Sequence, residues 1–156
     1  MSVRITEAPI DVAAETAALA HAGSNTGALV TFTGICRREE DGVPIAALVL
    51  EHYAGMAEAE IERHVEEAQK RWPLLGVRIV HRVGRIKPGE TIVFVATASA
   101  HREPAFAAAE FLMDYLKTRA PFWKKVERAD GTHWVAAKKT DDAAAARWKK
   151  PREAAE

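Results

Sequence analysis

Two lysines flank a proline in Met113-Asp-Tyr-Leu-Lys-Thr-Arg-Ala-Pro-Phe-Trp-Lys124. Lys117 closes an apolar helical run on the same face as Met113, because positions four apart are stacked neighbours on a helix. Lys124 follows the break at Pro121, with Arg119 and Lys125 close by. Two ammonium groups facing one pocket disfavour each other's charge, and a neutral amine can act as base or nucleophile. The remaining cations suit an anionic substrate. The plainer role for Lys117 is to complement the negative end of its helix. Lys124 and Lys125 are adjacent in an expected strand, so only one can face the pocket; Lys124 is the candidate, leaving Lys125 a backbone or rim contact.

Other cations stand at strand ends. His101-Arg102 follows an apolar strand where a helix begins, a place with free N–H groups and a positive dipole end. Arg102 adds a planar fork suited to phosphate; the alternative is that His101 or Ser99 only caps the helix. Arg37 follows Thr-Gly-Ile-Cys, where Gly34 permits close backbone approach and Phe32 can wall a pocket. Cys36 reads as a small apolar filler, or as a nucleophile should Arg37 and Arg38 depress its pKa. The six histidines (21, 52, 64, 81, 101, 133) form no spaced ligand pair, so no metal is expected. Glycine-rich phosphate loops and paired catalytic carboxylates are missing from the pattern.

These residues need elements to hold them. Val3–Thr6 alternates as a strand. Asp11 can cap an alanine-rich helix running to about His21. Ala28–Gly34 and Ile45–Tyr53 read as strands, with a polar loop over 37–44. Ala57–Trp72 is a helix with Ile61, Val65 and Ala68 on one stripe. Val77–Val83 is a strand, 85–90 a turn at Pro88-Gly89, and Thr91–Ser99 a buried central strand. Glu103–Lys117 is the second long helix, with Ala105, Ala109, Leu112 and Leu116 inward and Phe106 and Met113 beside them. Pro121 ends it. Phe122–Arg128 and Thr132–Ala137 form a small hairpin, followed by a short C-terminal helix. The class is α+β: two main helices on a mixed, largely antiparallel sheet, with the small extra β-hairpin near the C-terminus, a hammerhead-like arrangement.

The chain has 156 residues, is 48% hydrophobic and 28% charged, and carries no net charge. That fits one domain with a real core, here residues 1–140, with 141–156 as a C-terminal helix and tail. From Lys117 onward there are eleven Lys/Arg against six Asp/Glu, a net of +5, so residues 1–116 carry −5. This excludes a wholly basic nucleic-acid coat but permits a local anion pocket. No apolar run approaches a membrane span, no signal-peptide pattern opens the chain, and one cysteine makes no internal disulfide. A cytoplasmic location is the expectation.

The segments VTFTGICR (30–37), LEHYAGM (50–56), RWPL (71–74), HRVGRIKPGE (81–90), ASAHR (98–102) and MDYLKTRAPFWK (113–124) resemble the catalytic, large subunit family of molybdopterin synthase. The resemblance spans about residues 28–137. It implies a sulfurtransferase that moves sulfur from the thiocarboxylated Gly-Gly end of a small ubiquitin-like carrier subunit to cyclic pyranopterin monophosphate (precursor Z), making the dithiolene of molybdopterin. It implies a homodimer at the centre of a heterotetramer and no permanently bound cofactor. Lys117 matches the principal acid/base and Lys124 its electrostatic partner. Ile35, Cys36, Arg37, His101, Arg102, Lys125 and Val126 match substrate contacts, Phe32 and Met113 wall the channel, and the resemblance makes Lys138 a candidate contact to the opposite subunit's pocket. Ile35-Cys36 replaces a more usual basic-then-apolar pair, and the acidic 38–44 loop suits an anion site only if it points to solvent. A non-catalytic anion- or nucleotide-binding module using the same basic end is the competing reading.

Overall fold

The computed structural model describes residues 2–135 and 139–149. Its strands are β1 (Val3–Thr6), β2 (Ala28–Ile35), β3 (Glu39–Glu40), β4 (Val43–Pro44), β5 (Ala47–His52), β6 (Leu74–Arg82), β7 (Gly84–Ile86), β8 (Thr91–Ser99), β9 (Phe122–Arg128) and β10 (Gly131–Val135). Its helices are α1 (Val12–Ala20), α2 (Met56–Arg71), α3 (Arg102–Thr118) and α4 (Lys139–Ala146). The α+β class and the C-terminal hairpin are as expected. The strands divide, however, into two four-stranded sheets, ordered β1-β6-β8-β2 and β10-β9-β5-β7, plus the small β3-β4 hairpin. Among the described residues only β1 and β6 pair in parallel; the other pairs are antiparallel.

β8 is rich in apolar residues because both its faces are covered. Val93 and Val95 point to α2 and α3, joining Ile61, Val65, Ala68, Phe111, Leu112 and Leu116. Phe94, Ala96 and Ala98 point the other way, to Leu19 of α1. The second sheet has its own core of Leu48, Leu50, Val83, Ile86, Val126 and Cys36. Asp11 caps α1, accepting the Ala14 N–H at 3.0 Å. Trp148, just past α4, packs edge-on against Trp72 and Phe111, and its indole N–H donates to Asp114 at 2.6 Å.

Three local expectations fail. The 37–44 stretch is a hairpin rather than a polar loop: Asp41 (φ 52°) and Gly42 (φ 76°) form the two-residue reversal that suits twisted strands. Arg85 and Ile86, expected in a turn, instead join Gly84 in β7 against β5. Phe106 is 61% exposed on α3 rather than beside its core stripe.

Candidate active site

A cavity of about 640 Å³ opens where the two sheets meet the C-terminal end of α3. α3 and β9 deliver its lysines. Lys117 is in the last turn of α3, one turn beyond Met113, and both border the cavity. Arg119 is the C-cap, and the chain turns through Ala120-Pro121 directly into β9. In β9, Lys124 lies opposite Leu50 of β5, on the face that carries Phe122 and Val126, and it enters the same cavity. Lys125 takes the other face. It pairs with Glu51 at 3.1 Å and its ammonium lies 4.3 Å from the Trp134 ring.

β2 supplies the opposite wall. A Cβ at Gly34 would stand 2.8 Å from Val93 Cγ1 and 3.4 Å from the Phe32 ring, so this strand packs only with glycine there. The register shifts between Gly34 and Ile35. Such a bulge re-aims side chains at a strand end. Phe32, Ile35 and, two residues on, Arg37 all line the cavity.

Arg37 is paired at 3.2 Å with Glu40. Glu40 is buried and borders the cavity, so the acidic loop does not point wholly to solvent. The hairpin turns Glu40 back beside Arg37, where it neutralises part of the positive charge and braces the guanidinium. Asp141 of α4 also reaches the rim.

Besides Lys125, four expected contacts lie elsewhere within one chain. Cys36 is buried in the second-sheet core; its N–H donates to the Glu90 carbonyl and its own carbonyl accepts from Gly89, so its backbone is already engaged. Burial pushes its thiol pKa up despite the nearby charges of Lys124 and Arg37, which leaves a filler and not a nucleophile. Val126 is fully buried, and its strand is paired on both sides. His101 and Arg102 are exposed at the start of α3. Fifteen residues of helix separate Arg102 from Lys117, a rise of about 22 Å, so neither reaches the cavity of its own chain. Neither His101 nor Ser99 caps α3 through its side chain: His101 makes no such bond and Ser99 donates to Pro73 instead. Lys138 lies outside the described residues.

One cavity residue is not marked as a site by its local spacing, although it opens the family-like segment at 81–90. His81 of β6 is buried at the cavity floor, its ring stacked on Phe122 at 4.2 Å. Counting by twos along β6 from Ile79 would have put it on an inward face. No group of three or more His, Cys, Asp or Glu side chains could hold a metal among the described residues.

The segment from Ile5 to Arg119 matches the family model described as MoaE protein. The chain belongs to the MoaE family. The molybdopterin synthase catalytic subunit of Mesorhizobium japonicum is 58% identical over 150 residues, covering 95% of this chain and 93% of that protein. A MoaE protein structure from Burkholderia ambifaria superposes with a TM-score of 0.82 at 50% identity, covering 96% of this chain and 99% of the other. The complex of subunits 1 and 2 of molybdopterin-converting factor from Helicobacter pylori shares the fold at 20% identity, with a TM-score of 0.73, covering 86% and 90% of the two chains. As a MoaE chain related over nearly its whole length to such subunits, this is a molybdopterin synthase catalytic subunit, a sulfurtransferase of molybdenum cofactor biosynthesis. No helix of the MoaE chain is long and apolar enough to cross a membrane among the described residues.

Proposed function

We propose that the Lys117–Lys124 cavity is where sulfur passes from the thiocarboxylated C-terminus of a small Gly-Gly-ending carrier to cyclic pyranopterin monophosphate. The observation that carries this reading is the convergence of Lys117, Lys124 and Arg37 on one cavity walled by Phe32, Ile35 and Met113. Three cations suit the cyclic phosphate, and the apolar wall suits a tail without side chains. Opening the phosphate ring and adding sulfur build negative charge, which fixed cations in a partly dry site stabilise. Lys117 is the acid/base and Lys124 its electrostatic partner. The enzyme works in the cytoplasm and holds no resident cofactor, the sulfur arriving on the carrier. A two-subunit complex among the structural relatives supports the need for a small partner.

His101 and Arg102 then serve the cavity of a second copy. They are exposed, Arg102 carries a positive charge, and both are too far along α3 to act in their own chain. A homodimer, within a heterotetramer of two catalytic and two carrier subunits, gives them an anion to meet.

The test is an assay with thiocarboxylated carrier and the cyclic pterin, reading dithiolene formation. Lys117→Ala lowers the rate by on the order of 100-fold or more while the protein remains folded. Unimpaired conversion by that variant would remove Lys117 from the chemistry.

A further inference from the structure

His81 lies on β6 and is given no part in sulfur transfer above. Its Nδ1 is 2.8 Å from the carbonyl oxygen of Arg82. A carbonyl oxygen only accepts, so Nδ1 bears the proton, and Nε2 of the neutral ring is a bare acceptor. Phe122 holds the ring at 4.2 Å and 20° between planes, and His52 also packs on Phe122 with centroids 6.2 Å apart. The ring is therefore fixed in direction as well as place. It borders the cavity, and among the described residues Nε2 has no hydrogen-bond partner. The groups whose charge faces it are Lys117 from α3 and His52 from β5; both, after burial itself, oppose its protonation. Near neutral pH His81 is a rigid, uncharged acceptor in the cavity that Lys117 also enters.

We propose that His81 is a positioning residue whose Nε2 accepts a hydrogen bond from the Lys117 ammonium and aims that group at the reacting atoms. The proposal rests on Lys117 being the acid/base. Neutrality is the useful property. A carboxylate in this place would oppose proton release by its full charge, whereas an imidazole lone pair orients the amine in either protonation state, because the amine still has N–H bonds to donate.

Three replacements separate positioning from packing. Glutamine can place its amide oxygen near the Nε2 position. Asparagine reaches only the Nδ1 position, and phenylalanine keeps the stack on Phe122 without an acceptor. In the carrier-dependent assay, His81→Gln keeps kcat within about 5-fold of wild type. His81→Asn and His81→Phe lose kcat by on the order of 10–100-fold, the scale expected for a misaimed catalytic group. KM for the cyclic pterin stays within about 3-fold in all three, and thermal melts establish that each is folded. Added to Lys117→Ala, His81→Phe costs nothing further, because the group it aims is gone. Four outcomes would overturn the proposal: phenylalanine matching or surpassing glutamine, which is a packing role; KM rising with kcat unchanged, which is substrate binding; a further full loss in the double variant; or unchanged kcat in the Asn and Phe variants. A fully active Lys117→Ala would instead overturn the reading of Lys117, and the two failures are told apart in one set of measurements.

Discussion

At the scale of single residues, His81 also links the site to stability. An ordinary histidine titrates near 6.5, and burial brings His81 down to about 4. Between those values the unfolded chain binds the proton that the folded chain refuses, so stability rises with pH across the window and is lost as pH falls from about 6.5 to about 4. The difference corresponds to about 3 kcal/mol. Urea unfolding at pH 7 and pH 4.5 should show wild type losing more stability than His81→Phe, which has nothing to titrate there; equal losses would mean that His81 is open to solvent. His64 titrates in the same direction, its pKa lowered chiefly by burial, and it cancels in the comparison. Glu15, held below the usual carboxylate range chiefly by its hydrogen bond from Arg78, contributes stability that is lost only as pH falls below about 4.5. Glu40 shows how one residue inverts a regional reading: an acidic run looks solvated, yet one of its carboxylates turns inward to pair with Arg37.

At the scale of elements, the site depends on close approaches that no side chain announces. Gly27 donates to the Ser99 carbonyl just before β2 pairs with β8, and a Cβ there would lie 2.2 Å from the Ala100 oxygen. Backbone cannot retreat cheaply, so Gly27→Ala should destabilise by about 1–3 kcal/mol in chemical denaturation. An unchanged unfolding midpoint would show that β2 can slide. Helices and central strands were legible in the sequence because their signals are local: Asp11 before an alanine run, Ile61-Val65-Ala68 at helical spacing, nine apolar-rich residues in β8. β7 was not, since three residues become a strand only when β5 lies beside them. The β3-β4 hairpin was legible in principle from Asp41-Gly42, but its flanking strands of two residues each show no alternation to read.

At the scale of the whole molecule, α3 is both a scaffold and a spacer. Its last turn presents Lys117 to one cavity while its first turn holds Arg102 about 22 Å away. If the first turn serves a neighbouring copy, Lys117→Ala and Arg102→Ala homodimers are each impaired, but their mixed dimer has one complete cavity, formed by wild-type Lys117 of one subunit and wild-type Arg102 of the other. Random exchange should then restore about a quarter of wild-type activity. A mixture no more active than its components would place Arg102 outside the partner's cavity.

The sequence by itself determined the α+β class, the main helices, the C-terminal hairpin and, through six matching segments, the family. It also marked Lys117, Lys124, Arg37, Phe32 and Met113, because a proline break, a glycine before a strand end and an i,i+4 pair are all local features. The division into two sheets, the cavity between them, the inward turn of Glu40 and the separation of Arg102 from Lys117 were decided by tertiary structure alone. Strand partners and crossover paths depend on contacts between residues far apart in the chain, and these carry no local signature. His81 belongs to that second group: on β6 it is one inward residue among several, and only the meeting of β6, β9 and α3 brings it to the cavity that Lys117 enters.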